Sequence, residues 1–215
     1  MKKSIAFIII IGILMAGCTE TKKHTKGVYM LLDTSGTYTQ ELSKAKSILN
    51  YLLGTLNPGD TLAVARIDTG SFSEKDIIAK VVFDDRPSVA NNQKRAFQQT
   101  IDKFTHHVGK SPYTDISGGL LQAIEYLNEA DTGSKYILIF SDLKEELAAG
   151  HIRDVPFQLR GFHVVGLNVT KLRGDIRDPK QYMERVEEWR TKVEEGDGKW
   201  RVVNDLERLD NMFTG

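Results

Sequence analysis

The chain is 215 residues long, with 40% hydrophobic and 27% charged residues, which suits one folded domain with a real core and excludes an intrinsically disordered or collagen-like polymer. Lys and Arg total 29, as do Asp and Glu, so no overall field holds a nucleic-acid backbone or an anionic lipid surface by charge alone. The single cysteine, Cys18, excludes intramolecular disulfides and any zinc or iron–sulfur site built from several thiolates.

Lys2 and Lys3 precede an apolar run from Ile5 to Met15, followed by Ala16, Gly17 and Cys18. A basic start, a short apolar centre and small residues form a secretory leader; a spanning helix needs about 20 apolar residues, and polar Thr19, Glu20, Thr21, Lys22 and Lys23 interrupt this run first. Leu14-Met15-Ala16-Gly17-Cys18 resembles a bacterial lipobox, with Met15 where that motif usually carries leucine. The resemblance implies a signal peptide over 1–17, lipidation of Cys18, and a polar tether over 18–26; a plain signal peptide or an uncleaved anchor is the alternative. Several acyl chains on one cysteine suffice for stable attachment, so the folded domain needs no membrane-binding face. Thr19, not Asp, follows the cysteine and gives no inner-membrane retention signal. The expected location is the cell envelope: the outer membrane if the host has one, otherwise the outer face of the cytoplasmic membrane.

From residue 27 to 215 the pattern is that of one domain. Val28 to Leu32 is a continuous apolar run, expected for a strand buried on both faces. Leu42, Ala45, Ile48, Leu49, Leu52, Leu53 and Leu56 recur at helical spacing until Asn57-Pro58-Gly59-Asp60 stops them. Strands are predicted at 61–67 and 77–83, close enough to form a hairpin and an antiparallel edge. Helices follow around Ala90 to Phe104 and Ile116 to Leu127, then strands at 136–140 and 162–167. A helix carrying Tyr182, Val186, Trp189 and Val193, a strand at 200–203, and a terminal helix with Leu206, Leu209 and Phe213 close the chain. The fold class is therefore α/β: a doubly wound, mostly parallel six-stranded sheet with one short antiparallel edge strand and helices on both faces.

Ligands of such sheets bind beyond the carboxyl ends of the strands. Asp33-Thr34-Ser35-Gly36-Thr37 follows the first strand, Ser141-Asp142 follows the fourth, and Ser111-Pro112-Tyr113-Thr114-Asp115 precedes the third helix. Carboxylates and hydroxyls without a nearby histidine or thiolate suit a hard divalent cation, Mg²⁺ first, Mn²⁺ or Ca²⁺ next. The alternating spacing of Asp33, Ser35 and Thr37 lets a tight turn aim three side chains at one centre, with Gly36 relieving the backbone.

These three segments, in this order, resemble the metal-ion-dependent adhesion site (MIDAS) of the von Willebrand factor type A (vWA) domain, written D-x-S-x-S, then a distant Thr, then a distant Asp. The resemblance covers about 27 to 213 and implies a vWA, Rossmann-like fold. It implies direct ligation by the hydroxyls of Ser35 and Thr37, ligation by Thr114 directly or through water, and metal-bound waters held by Asp33 and Asp142. Thr37 stands where the family has serine, and its extra methyl narrows the site. Neutral hydroxyl ligands leave charge on the ion and one exchangeable place, which family members offer to an Asp or Glu of a partner protein. The expected function is adhesion or envelope-complex assembly without bond-breaking. The alternatives are a metal-dependent phosphoryl-transfer or hydrolase enzyme, which lacks a Gly-rich phosphate loop here, and a scaffold lipoprotein with a non-functional metal site.

Simpler readings accompany these residues. Asp33 and Thr114 are also plausible turn or cap formers, and Ser141-Asp142 a start for the segment Leu143 to Ala149. Asp68-Thr69-Gly70 resembles an aspartic-protease loop, but that family is all-β and the helices contradict it. His106-His107 suits a helix C-terminus. Asp84-Asp85, Lys144-Glu145-Glu146 and Glu194-Glu195 are expected to be solvated surface.

Overall fold

Val28, Met30 and Leu32 face one side of strand β1 (Lys26–Leu32) and Tyr29 and Leu31 the other, and all five are fully buried, so β1 lies at the centre of a sheet covered on both faces. The structure, a computed structural model, describes residues 24–36, 38–69, 72–107, 109 and 111–213. The expected leader and Cys18 lie outside the described residues. Among those described, no helix is long and apolar enough to cross a membrane.

Helix α1 (Leu42–Thr55) leads to β2 (Thr61–Arg66), and β3 (Ile77–Val82) returns antiparallel to it. Helices α2 (Pro87–Thr105) and α3 (Ile116–Glu129) precede β4 (Ser134–Phe140), which runs parallel to β1. Strand β5 (Phe162–Leu167), the short helix α4 (Arg173–Arg177), helix α5 (Pro179–Glu195) and strand β6 (Lys199–Val203) follow. The sheet order is β3-β2-β1-β4-β5-β6, with β3 the antiparallel edge. One face packs against α1 and α2, the other against α3 and α5. The order reverses between β1 and β4, and β1's neighbours on both sides run parallel to it, so the loops leaving β1, β2, β4 and β5 gather at one carboxyl edge.

The chain ends in a 3₁₀ helix over Leu206–Phe213, where an ordinary helix was expected. No helix connects β4 to β5. Residues 141–161 cross as irregular chain with turns at 149–150 and 160–161 and one isolated bridge between Thr114 and Glu146. Leu143, Phe157 and Leu159 give the crossover its grip by burying themselves against α3 and α5.

Candidate functional site

Asp33 leaves β1 beside the end of β4, where its amide donates to Phe140 O at 3.0 Å. Its carboxylate is fully buried. Oδ1 accepts from the Ser35 amide at 2.8 Å, closing the turn, and Oδ2 accepts from Ser141 Oγ at 2.7 Å. Ser141 Oγ in turn accepts from Leu143 N at 3.1 Å. Gly36 has φ +43°, the left-handed conformation its missing Cβ permits, and its amide donates to Ser111 O at 2.9 Å. Thr114 is buried and exchanges two backbone bonds with Glu146, 2.8 and 2.9 Å, four residues beyond Asp142. The Asp33 turn is thus bonded to both of the other predicted segments, through Ser141 and Ser111, while Thr114 is bonded to the chain that continues from Asp142 and not to Ser141 or Asp142 themselves. Ser35 and Asp142 are half-buried at this edge. Thr37 lies outside the described residues.

Burial pushes the Asp33 carboxyl up to about 6, against the opposing effect of hydrogen bonds from Ser35 and Ser141, and the nearby Asp142 adds to the rise. Asp142 is itself raised by burial, with the Lys144 amide, the Arg185 guanidinium and the Lys144 ammonium pulling it back. Arg185 bonds the carbonyl of Asp142 through Nε at 2.8 Å and gives its other nitrogens to Asp175, Nη2 at 2.7 Å. Asp175 is buried on α4, so one guanidinium ties α4 and α5 to the end of β4.

A hard dication fits the groups present. The donors are all oxygen, and Asp33 is a fully buried acid whose bonded partners are two serines, with no cationic side chain among them. Among the described residues no three His, Cys, Asp or Glu are placed to hold a metal, so a cation at this edge would need hydroxyl ligands.

Several structurally important residues escaped the sequence reading. Asp115, not Thr114, caps α3: its Oδ1 accepts from Gly118 N at 2.7 Å, and Oδ2 accepts from Phe72 N at 2.6 Å and Arg153 Nη2 at 2.7 Å. Glu145 is not solvated surface. It is half-buried and accepts from Ser117 N at 2.6 Å and Ser117 Oγ at 3.0 Å, a second carboxylate at the positive end of α3. An Asp one residue before a helical run was a readable cap signal; Glu145, 28 residues from Ser117, carried none. The buried hydroxyl of Thr34 and that of Thr69 have no hydrogen-bond partner among the described residues. Asp68 lies 3.6 Å from Arg66, as an ion pair in an α/β sheet and not a protease dyad. His106 closes α2, with Nδ1 against the Asp102 carbonyl.

This order of strands, with helices on both faces and hydroxyl- and acid-bearing turns at the switch point, defines the doubly wound Rossmann-like class. More narrowly, the fold is that of the von Willebrand factor type A domain. It superposes on the von Willebrand factor type A structure from Catenulispora acidiphila with a TM-score of 0.57 at 15% identity, covering 88% of this chain and 41% of that one. The pilus adhesin SpaC from Lactobacillus rhamnosus GG gives a TM-score of 0.51 at 11% identity over 89% of this chain and 29% of the adhesin. The chain thus spans less than half the length of either. No protein-family model matches the sequence, and no curated protein matches it.

Proposed function

We propose that this chain is a lipid-anchored envelope protein that binds a partner protein through a divalent cation, Mg²⁺ in the first instance, at the carboxyl edge of its sheet. The observation that carries the reading is the bonding of the Asp33 turn to both Ser141 and Ser111, around a buried acid that has no cationic side-chain partner among the described residues. Ser35, Thr37 and Thr114 would supply hydroxyl ligands, while Asp33 and Asp142 would hold coordinated waters. A bound dication would supply unneutralised charge and a coordination place for a carboxylate of the partner. The chain's own part is structural: the Ser141 and Ser35 bonds fix Asp33, Arg185 fixes the backbone of Asp142, and the Glu146 bridge fixes Thr114. One protein with this fold is a pilus adhesin; the proposal gives this chain comparable work on the strength of its site, not of that likeness.

Calorimetric titration of the purified full chain in neutral detergent with Mg²⁺ and Mn²⁺ tests the reading. One site is expected, absent in Asp33→Ala, together with membrane proteins retained in a pull-down and released by chelator. No binding heat and an unaltered melting curve would leave a scaffold. Phosphatase or ATPase turnover that disappears in Asp33→Ala would make the protein an enzyme.

A further inference from the structure

The region that follows β5 concentrates positive charge. Lys171, Arg173, Arg177 and Lys180 fall within ten residues of a chain whose formal net charge is zero, and all four are exposed. None forms an ion pair among the described residues; Lys171 instead stands over the Tyr182 ring at 5.9 Å. The acids that interleave them are already committed. Asp175 is buried against Arg185, and Asp178 caps α5 by accepting from the Lys180 amide at 3.2 Å. Glu184, four residues beyond Lys180, makes no ion pair with it. Amid these cations Ile176 is 76% exposed, and Met183 on the next helix is 63% exposed.

The patch adjoins the site described above. β5 runs parallel to β4 and β1, so α4 rises from the same carboxyl edge as Asp33 and Asp142. Arg185 fixes the separation, because one guanidinium bonds both the Asp142 carbonyl and the carboxylate of Asp175, the residue next to Ile176. Helix α4, which carries the apolar and cationic surface, is therefore tied to the end of β4 through a single guanidinium.

We infer that this patch is a docking surface for an acidic protein segment with apolar side chains among its acids, and that it belongs to the same partner whose carboxylate the neighbouring site is proposed to take. The inference rests on the proposed function for that shared partner, while the patch itself stands on charge and exposure. Unpaired cations complement an acidic surface and speed its encounter, and exposed Ile176 offers the apolar contact that ion pairs alone lack. An anionic membrane fits less well. β1 begins at Lys26 and carries the chain about 20 Å along the sheet to the carboxyl edge, so the patch lies at the end of the sheet opposite to the start of the domain.

The test uses the full chain in neutral detergent micelles and the fluorescein-labelled peptide Glu-Glu-Leu-Glu-Glu-Leu-Glu-Glu, read by anisotropy at low and high salt, with Mg²⁺ or with chelator. The variant R173E/R177E reverses two exposed charges on α4 that make no ion pair among the described residues, and its melting temperature is compared with that of the unaltered chain before binding is read. R95E/K103E makes the same charge change on exposed positions of α2. The expected result is that R173E/R177E weakens binding about tenfold or more at low salt while R95E/K103E changes it less than about twofold, the difference shrinking as salt rises. Equal losses in the two variants, or no loss in either, would overturn the inference. So would a chain that ignores the peptide and prefers micelles doped with phosphatidylglycerol, with R173E/R177E abolishing that preference. A patch effect that persists in chelator, with no increment from Mg²⁺ in the unaltered chain, would remove the metal reading and leave the docking surface standing.

Discussion

Replacing Asp33 by asparagine separates what the carboxylate costs the fold from what it contributes to the site. With its ionisation moved from 3.8 to about 6, the buried acid becomes more expensive to ionise by roughly 2 pH units, or about 3 kcal/mol at 1.36 kcal/mol per unit. Below pH 3.8 the group is protonated whether the chain is folded or not, and it carries no penalty. The penalty accumulates as pH rises through 3.8 to 6 and is complete above that, so the metal-free protein is least favoured by this group at neutral pH. The amide of Asp33→Asn would be neutral throughout. Its Oδ1 can still accept from Ser35 N, and its Nδ2 can donate to Ser141 Oγ once that hydroxyl turns, at a loss of about 1 kcal/mol for the weaker, uncharged bonds. In chelator at pH 7.5 the variant should be about 2 kcal/mol more stable, a melting temperature some 4–8 °C higher for a domain of this size. The advantage should vanish near pH 4, and added Mg²⁺ should stabilise the unaltered chain but not the variant. Differential scanning calorimetry across pH, with and without Mg²⁺, measures all of this. A variant destabilised in chelator at pH 7.5, or one that gains as much from Mg²⁺ as the unaltered chain, would refute the reasoning.

Arg185→Met should be among the more destabilising single changes, about 3–5 kcal/mol by urea denaturation, because it strands the carboxylate of Asp175 in a buried setting. Adding Asp175→Leu should recover much of that loss, and a double variant no better than the single one would show that the ion pair is not the cause. Trp189→Phe removes the 2.9 Å bond from the indole to the Leu143 carbonyl and should cost about 1–3 kcal/mol. It should also speed limited proteolysis between 147 and 156; cleavage at an unchanged rate would mean that Trp189 does not hold the crossover down.

The central strands were legible because burial on both faces writes itself as an unbroken apolar run, as in Val28–Leu32 and Tyr136–Phe140. The antiparallel edge was legible from the short link between 67 and 77. The crossover 141–161 was not, since its buried anchors Leu143, Phe157 and Leu159 follow neither helical nor strand periodicity and are held by partners distant in sequence. At the candidate site, Asp33, Ser35 and Asp142 could be named as candidates because turn residues after strands carry their own local pattern, and Thr114 because it stands just before a helix. Arg185 and Glu145 were invisible for the opposite reason: Arg185 meets Asp142 across 43 residues and Glu145 meets Ser117 across 28, and no local spacing encodes either.

The same crossover gives the molecule a built-in reporter. Residues 141–161 own few ladder bonds, so their amides should exchange with deuterium through local breathing well before those of β1 or β4. Yet this stretch is fastened at the very place where a binder would sit, through Thr114, Ser141 and Arg185. Whatever seats itself there should quieten the whole ribbon, so slowed deuterium uptake over these twenty-odd residues can identify a genuine partner in a fractionated membrane extract before anyone knows its name.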